Sequence, residues 1–406
     1  MPLEPPAGDR TTLARAVADF GREYFVAGLI GFIFAASAPV AIVLAVGTRG
    51  GLGPSDLASW LFGSFFLNGL VTLFFCWRYR QPLVFFWTIP GTVLVGPALA
   101  HLSYPEVIGA FIATGVLMLV LGLSGRVRPA MAAIPMPIVM AMVAGVFLRF
   151  GLDIVYAVRD DFWIAAPMIA AFVALTALPR IARYVPPLIG AMVLGGVIIA
   201  IAARFETGAL ASIEFSLPNL YRPTFSLQAM VELVIPLAIT VLVVQNGQGV
   251  AVLRAAGHEP PINAITAACG LGSIVSAFAG TVSTCLTGPV NAILASSGER
   301  ERQYSAGLFV GMLALVFGLF SSAFTRFMLA MPKAFIAVAA GLAMLRVLQM
   351  AFQVAFRERF TLGALVTFLV TVADVSILRI GAPFWGLVFG YACSWVLERR
   401  DFREAK

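Results

Sequence analysis

Charged side chains are scarce in this sequence. Asp, Glu, Lys and Arg make up 12% of its 406 residues, against about 25% in an ordinary soluble domain. Apolar residues make up 60% of the chain, so no soluble domain of useful size fits beside the apolar segments. We therefore predict an all-α polytopic membrane protein. The net charge of +7 then indicates membrane topology and not nucleic-acid binding.

Groups that catalyse reactions or bind metal ions are also few. The chain has two histidines and four cysteines, and the cysteines lie in apolar segments without the spacing of a metal site. Ser–His pairs and paired carboxylates at one membrane depth are missing, which argues against an intramembrane enzyme. Rings of like charge, expected in an ion channel, are missing too. We expect no catalytic residue, no metal and no cofactor.

Acidic residues nearly disappear from the apolar segments. Of 20 acidic residues, only Glu232 and Asp374 lie inside these segments, each in an outer third of the membrane. Asp374 is our candidate for proton coupling, and the alternatives are an ion pair with Arg379 or a helix cap. We expect His101 and His258 to be surface or capping residues rather than proton carriers.

Two short segments, 81–94 and 280–293, are the most informative part of the sequence. They read QPLVFFWTIPGTVL and GTVSTCLTGPVNAI. Each begins with residues typical of extended backbone, turns at a Gly/Pro pair and re-enters an apolar run. They occupy matching places in two halves, with Gly91 over Gly288. Such a pair of broken segments is typical of a transporter's substrate site, because the interrupted backbone needs a polar lining in the membrane.

The two halves of the chain also echo each other elsewhere. The fifth apolar segment reads IPMPIVMAMVAGVFLRF and the twelfth reads MPKAFIAVAAGLAMLRV. We predict fourteen transmembrane segments in two repeats of seven, with segments 3 and 10 broken. Because each repeat has an odd number of segments, the second repeat enters the membrane from the opposite side, which makes this a 7+7 inverted repeat. Most Lys and Arg residues then fall in inner loops, which places both termini in the cytoplasm. The predicted regions are a cytoplasmic segment 1–23, a first repeat 24–203, an extracytoplasmic connection 204–225, a second repeat 226–398 and a cytoplasmic tail 399–406.

Polar residues collect at three places in this plan. Each broken segment offers the start of a half-helix, whose free N–H groups carry about half a positive charge and favour an anion; the alternative is two Pro-kinked helices without a ligand. The eighth segment carries three carboxamides within an apolar run, which are costly unless paired or facing water. They act either as contacts between helices or as substrate ligands. The predicted substrate-binding residues are Thr88, Pro90, Gly91, Thr92, Gln245, Asn246, Gln248, Ser283, Thr284, Thr287, Gly288 and Asn291.

From Arg78 onward the chain resembles the benzoate:proton symporter (BenE-type) family of bacterial inner membranes. The matching stretches cover nearly the whole chain and read RYRQPLVFFWTIPG, IGAFIATGVLMLVLGLSG, AGVFLRFGLD, QNGQGVAVLRAAGHEPP, MPKAFIAVAAGLA and GAPFWGLVFG. The family is related to the nucleobase and sulfate/bicarbonate transporters of the 7+7 fold. That resemblance implies a core domain of segments 1–4 and 8–11 that moves against a gate domain of segments 5–7 and 12–14.

The resemblance implies proton-coupled uptake of a small aromatic carboxylate, with benzoate as the default substrate. Other anions, such as sulfate, bicarbonate or an organic acid, and nucleobases remain the alternatives. Nucleobase carriers have a glutamate where this chain has Gln245, which disfavours a nucleobase. The expected partners are the aromatic acid, protons and the lipid bilayer, with no nucleic acid and with a homodimer left open. The proton rides either on the protein or on the substrate itself.

Overall fold

Helices with few polar residues make up nearly all of the described chain. The computed structural model describes residues 3–6, 11–131, 133–182, 185–204 and 215–404. In those residues, seven helices are long and apolar enough to cross a membrane: Arg22–Arg49, Pro54–Tyr79, Tyr104–Ser124, Met136–Asp160, Leu227–Ala255, Arg300–Leu319 and Lys333–Ala355. Six shorter apolar helices are Ile89–Ala98, Phe162–Ala177, Pro187–Ile201, Ile262–Ala277, Thr361–Ala373 and Ala382–Leu397. The prediction of an all-α, multi-span protein is confirmed.

Short helices and irregular segments connect these spans. The remaining helices are Leu13–Asp19, Val127–Met131, Pro179–Ala182, Gly288–Ala295, Ser321–Leu329 and Arg399–Glu404. Part of the predicted connection 204–225, residues 205–214, lies outside the described residues, as do residues 1–2 and 7–10 of the predicted N-terminal segment and residues 405–406 of the tail. Residues 215–226 have no regular structure, yet backbone hydrogen bonds such as that from the Thr224 N–H to the Pro105 carbonyl fix them to the helices.

Local sequence explains where the helices begin and end. The helix Tyr104–Ser124 begins with a capping box, in which the Glu106 carboxylate accepts the Ser103 N–H at 2.9 Å, and satisfies a donor that the helix itself leaves free. It ends at Gly125, whose φ of 72° is accessible to glycine at little cost. The helices Met136–Asp160 and Lys333–Ala355, which carry the echoed sequences, each follow a proline cap and pack along each other.

Glycines allow close contact between the helices Tyr104–Ser124 and Ile262–Ala277. A Cβ placed on Gly270 would collide with the backbone nitrogen of Leu119, and one on Gly122 with the backbone of Ala267. In lipid, where apolar burial does not drive helices together, such close backbone approach is a main source of helix association. This interface joins a helix of each half of the chain next to the broken segments.

We expect Gly270→Val to destabilise the protein, because the added side chain has no space between the two backbones. Overpacking of this kind costs about 1–3 kcal/mol. Thermal unfolding of the detergent-purified variant should show a lower Tm, whereas Gly196→Val, at a membrane glycine with no atom within 4 Å of the built Cβ, should leave Tm unchanged. Equal Tm values for the two variants would contradict this account of the interface.

Candidate functional site

The two broken segments meet in a short β-ladder among the helices. Strand β1, Phe85–Trp87, pairs antiparallel with strand β2, Thr284–Leu286, so that Phe86 lies opposite Cys285. The ladder extends by one bond at each end: the Thr88 N–H donates to the Ser283 carbonyl at 2.9 Å and the Thr287 N–H to the Val84 carbonyl at 3.0 Å. The prediction that both segments are interrupted is confirmed, and each supplies the hydrogen-bond partners that the other lacks.

A half-helix leaves each end of the ladder. The first half-helix, Ile89–Ala98, has Thr88 as its N-cap, and the second half-helix, Gly288–Ala295, has Thr287. The structure therefore aligns Pro90 with Pro289, and the predicted register of Gly91 over Gly288 is wrong by two residues. The cap and the proline fix a helix start, whereas Gly288 is the first helical residue and Gly91 the third. At about 3.3 Å per residue, the two N-termini lie roughly 13 Å apart along the ladder.

Several predicted site residues hold the strands in place. The Asn246 Oδ1 accepts the Leu286 N–H at 2.8 Å, and the Asn291 Oδ1 accepts the Val84 N–H at 2.9 Å. Thr284 donates through its Oγ1 to the Asn68 Oδ1 at 2.7 Å. These three side chains are buried. Each hydrogen bond therefore avoids the free-energy cost of leaving a buried polar group without a partner.

Sequence reasoning missed further members of this scaffold. The Thr72 Oγ1 accepts the Phe85 N–H at 2.8 Å, and the Ser273 Oγ accepts the Thr284 N–H at 2.9 Å. Each hydroxyl thus accepts the backbone N–H of the first residue of a strand. Thr72 does so for β1 and comes from the first half of the chain, and Ser273 does so for β2 and comes from the second half. The signal was present, because Asn68 and Thr72 are single polar residues on one face of an apolar helix.

The two half-helices differ at their N-termini. The Thr88 Oγ1 caps the first half-helix by accepting the Gly91 N–H at 3.1 Å, and Thr92 returns its hydroxyl to the Thr88 carbonyl at 2.9 Å. The second half-helix has no side-chain cap. Its first N–H groups are free to meet an anion, and the positive end of its dipole is not offset by a hydroxyl oxygen.

Some of the polar side chains without a hydrogen-bond partner belong to the ladder or to the helix Leu227–Ala255 beside it. A Cβ built on Gly288 would lie 2.5 Å from the Gln248 Oε1, so the Gln248 amide rests on the start of the second half-helix. Within the described chain, the side chains of Gln245 and Gln248 have no hydrogen-bond partner. The Ser283 Oγ and the Trp87 Nε1 are buried, also with no partner there. Gln245 lies in a π-helical turn, Thr240–Asn246, a feature frequent at functional sites.

The titratable residues do not all lie where the sequence suggested. Asp374 is exposed and ends the helix Thr361–Ala373 as its C-cap, without an ion pair to any described residue; the structure does not bring it to the ladder. His258 is buried, with its Nε2 2.7 Å from the Gln303 Oε1, so the expectation of a surface residue is wrong there. His101 lies 2.9 Å from Glu232, a pairing that the sequence did not predict.

Two half-helices that start from a shared β-ladder within a bundle of apolar helices are typical of a membrane transporter fold. The solved transmembrane domain of the cyanobacterial bicarbonate transporter BicA matches with a TM-score of 0.64 and 17% identity, over 94% of this chain and 99% of that one. The solved SLC26A9 matches with a TM-score of 0.62 and 14% identity, over 95% of this chain and 67% of that one. At these identities the likeness shows the fold alone.

Sequence comparison gives the family. The family model for the benzoate membrane transport protein, BenE, matches residues 18–396. The inner membrane protein YdcO of Escherichia coli is 31% identical over 379 residues, which is 92% of this chain and 94% of that protein. The benzoate membrane transport protein of Acinetobacter baylyi is 26% identical over 397 residues, 95% of this chain and 98% of that protein. The chain belongs to the BenE family of membrane transporters.

We expect Asn246→Ala to lower the Tm of the purified protein, because the buried Leu286 N–H then loses its acceptor. Leaving such a group without a partner costs about 1–3 kcal/mol. The matched control is Gln245→Ala, which removes the neighbouring amide but no hydrogen bond within the described chain and should leave Tm unchanged. If the two variants unfold at the same temperature, Asn246 does not support the strand.

Proposed function

We propose that this protein takes up a small aromatic carboxylate, with benzoate as the first candidate, together with a proton across the bacterial inner membrane. The observation that carries the proposal is the uncapped N-terminus of the second half-helix, with the free amide of Gln248 resting on it. It offers an anion site without a buried cation. The family supports the aromatic acid, and the name of the E. coli relative supports the inner membrane.

The substrate carboxylate would accept hydrogen bonds from the N–H groups of Gly288 and Val290, which follow the Thr287 cap. Gln245 and Gln248 supply amide donors. The Ser283 hydroxyl lies beside Thr88 at the opposite end of the ladder and does not reach the same carboxylate. Of the predicted set, Thr88, Pro90, Gly91 and Thr92 form the start of the first half-helix, while Asn246, Thr284 and Asn291 shape the site indirectly through the strands. The aromatic ring would pack against apolar residues, of which Phe86 on β1 is a candidate.

The architecture that suits this function is the 7+7 inverted repeat. The described apolar helices, with the second half-helix, supply fourteen segments, divided into a first repeat 24–203 and a second repeat 226–398. The antiparallel pairing of β1 and β2 supports two halves of opposite orientation. In this proposal the core domain of segments 1–4 and 8–11 carries the ladder and moves against the gate domain of segments 5–7 and 12–14. Both termini lie in the cytoplasm.

Energetics favours coupling to a proton. An anion that enters a cell against 100 mV costs about 2.3 kcal/mol per charge, and one co-transported proton removes that cost. The exposed position of Asp374 leaves it without a contact to the ladder, so a proton carried by this residue would act at a distance. Other anions remain the alternative substrates on this fold, and Gln245 in place of a glutamate disfavours nucleobases. A homodimer remains one option for the assembly of the protein.

Uptake by proteoliposomes tests the function. We expect radiolabelled benzoate to enter faster with an inward proton gradient and to lose that acceleration with a protonophore, because the anion alone moves uphill. A panel that includes sulfate, bicarbonate and uracil should show competition by aromatic carboxylates alone. Equal uptake with and without the gradient would contradict proton coupling, and competition by bicarbonate but not by benzoate would contradict the substrate.

Binding by Gln245→Ala and Gln248→Ala tests the site. A hydrogen bond to a charged group contributes about 1.5–3 kcal/mol, so each variant should bind benzoate roughly 10- to 150-fold more weakly by calorimetry. Thr176→Val is the matched control, because its hydroxyl lies on an exposed helix surface and bonds only to its own helix. Parental affinity in both glutamine variants would overturn the site.

Labelling of single cysteines tests the topology. Leu217→Cys lies in the predicted extracytoplasmic connection and Glu301→Cys in a predicted cytoplasmic loop, both with exposed side chains. Three native cysteines are buried, and the fourth, Cys393, would be replaced by serine. We expect a membrane-impermeant maleimide to label only Leu217→Cys in spheroplasts and both variants after permeabilisation. Labelling of both in intact spheroplasts would contradict the inverted repeat.

A further inference from the structure

A buried carboxylate lies next to a histidine at the far end of the first half-helix. The Glu232 Oε2 is 2.9 Å from the His101 Nε2, with the Glu232 side chain 5% exposed and that of His101 29% exposed. Glu232 belongs to a π-helical turn, Met230–Val234, at the start of the helix Leu227–Ala255. A buried acid in a membrane segment is costly and marks a functional site by default, and the partly exposed histidine gives it a route to solvent.

The other carboxylate oxygen faces the helix that the proposed architecture assigns to the gate domain. A Cβ built on Gly381 would lie 2.6 Å from the Glu232 Oε1. Pro97, Pro236 and Pro383 line the same small cavity as Glu232. The Gln228 side chain, one turn earlier, donates to the Arg379 carbonyl. The pair therefore sits on core segments 3 and 8 and abuts the first residues of segment 14.

No second ionised partner faces the pair from the described elements packed against it. Those elements are the helices Ile89–Ala98, Tyr104–Ser124 and Ala382–Leu397 and the rest of Leu227–Ala255, and the helices Ala38–Arg49 and Met136–Asp160 pack against Ile89–Ala98. In the first four, Tyr104 donates to the Gly280 carbonyl and Glu106 is held by Ser103, while Arg254, Tyr391 and Cys393 lie toward the opposite ends of their helices. In the last two, Arg49 pairs with Asp153 at 2.6 Å and Arg159 with Asp160 at 2.8 Å, and the side chain of Arg149 is exposed. Arg379 contributes its backbone carbonyl to Gln228.

The first half-helix and the β-ladder together join this pair to the proposed substrate site. His101 follows the C-terminal end of the first half-helix, where the helix dipole favours a positive charge. The other end begins at Thr88, which bonds to the β-ladder. Ten residues at about 1.5 Å each span only about 15 Å. A proton held at His101 and Glu232 and an anion bound at Gly288, across the ladder, would therefore move as one body with the proposed core domain.

We propose that Glu232 and His101 form the proton-binding site of this transporter. The inference rests on the proposed proton-coupled uptake. With one proton the pair is neutral overall, as carboxylate with imidazolium or as carboxylic acid with imidazole. Without it the pair carries one negative charge, buried against the gate. The proton enters from the outer side through the exposed edge of His101, travels with the core domain and leaves on the inner side.

The test measures protons and substrate separately. Calorimetry of benzoate binding in buffers of different ionisation enthalpy reports the protons taken up with the acid. We expect uptake of a proton by the parent and none by Glu232→Gln, with gradient-driven transport roughly 5- to 150-fold slower, the usual size of such couplings. Counterflow exchange of benzoate, which needs no net proton movement, should persist in Glu232→Gln. Asp160→Asn, at an exposed outer acid, should match the parent.

The outcomes separate this inference from the proposed function. A parent that takes up no proton and ignores the gradient contradicts the coupling itself. A coupled parent whose Glu232→Gln variant still takes up the proton overturns the Glu232–His101 site, and loss of coupling in Asp374→Asn would then assign the proton to that residue. If Glu232→Gln does not fold, His101→Gln decides, because it keeps a hydrogen-bond donor but cannot titrate. An unchanged pH profile of uptake in His101→Gln also overturns the site.

Discussion

The structure depends on one constraint: polar backbone groups inside a membrane need partners within the protein. Two segments of this chain leave the helical conformation within the helix bundle. Their strands pair, so that each supplies hydrogen-bond partners for the backbone of the other. Side chains complete the arrangement on the outer edges, with Thr72 and Asn291 on β1 and Ser273 and Asn246 on β2. The two half-helices can start in the membrane interior only because this ladder holds their N-termini.

That constraint also decides which polar residues remain for a substrate. Asn246 and Asn291 accept strand N–H groups, and Thr88 caps its own half-helix. The second half-helix has no such cap, so the pseudo-symmetric pair is chemically unequal. Gln248 lies over that start, and within the described chain neither it nor Gln245 has a hydrogen-bond partner. This inequality is the basis for the anion site that we propose at one end of the ladder, which needs no buried arginine or lysine.

Charge balance would link the proposed proton site to the proposed substrate site. An anion cannot accumulate against the membrane potential without a compensating charge, and the few acids of the apolar segments limit where a proton can be held. Glu232 is buried beside His101, whereas Asp374 stands exposed at a helix end. In the proposed cycle, the first half-helix and the ladder connect the proposed proton site to the proposed substrate site, and Gly381 lies within contact of the Glu232 carboxylate on the side of the proposed gate domain.

The sequence by itself determined the class of protein, the two broken segments and the polar residues around them. Hydropathy, Gly/Pro breaks and isolated amides depend on local chemistry, so each can be recognised without a structure. Only the tertiary structure decided the register of the half-helices, the division of the amides into strand supports and free donors, and the pairing of His101 with Glu232. These properties depend on which residues meet across 40 to 207 positions of the chain. Glu232 and Asp374 are both single acids in apolar segments of the sequence. Only the packing of neighbouring helices makes Glu232 a buried acid paired with His101 and leaves Asp374 an exposed helix cap.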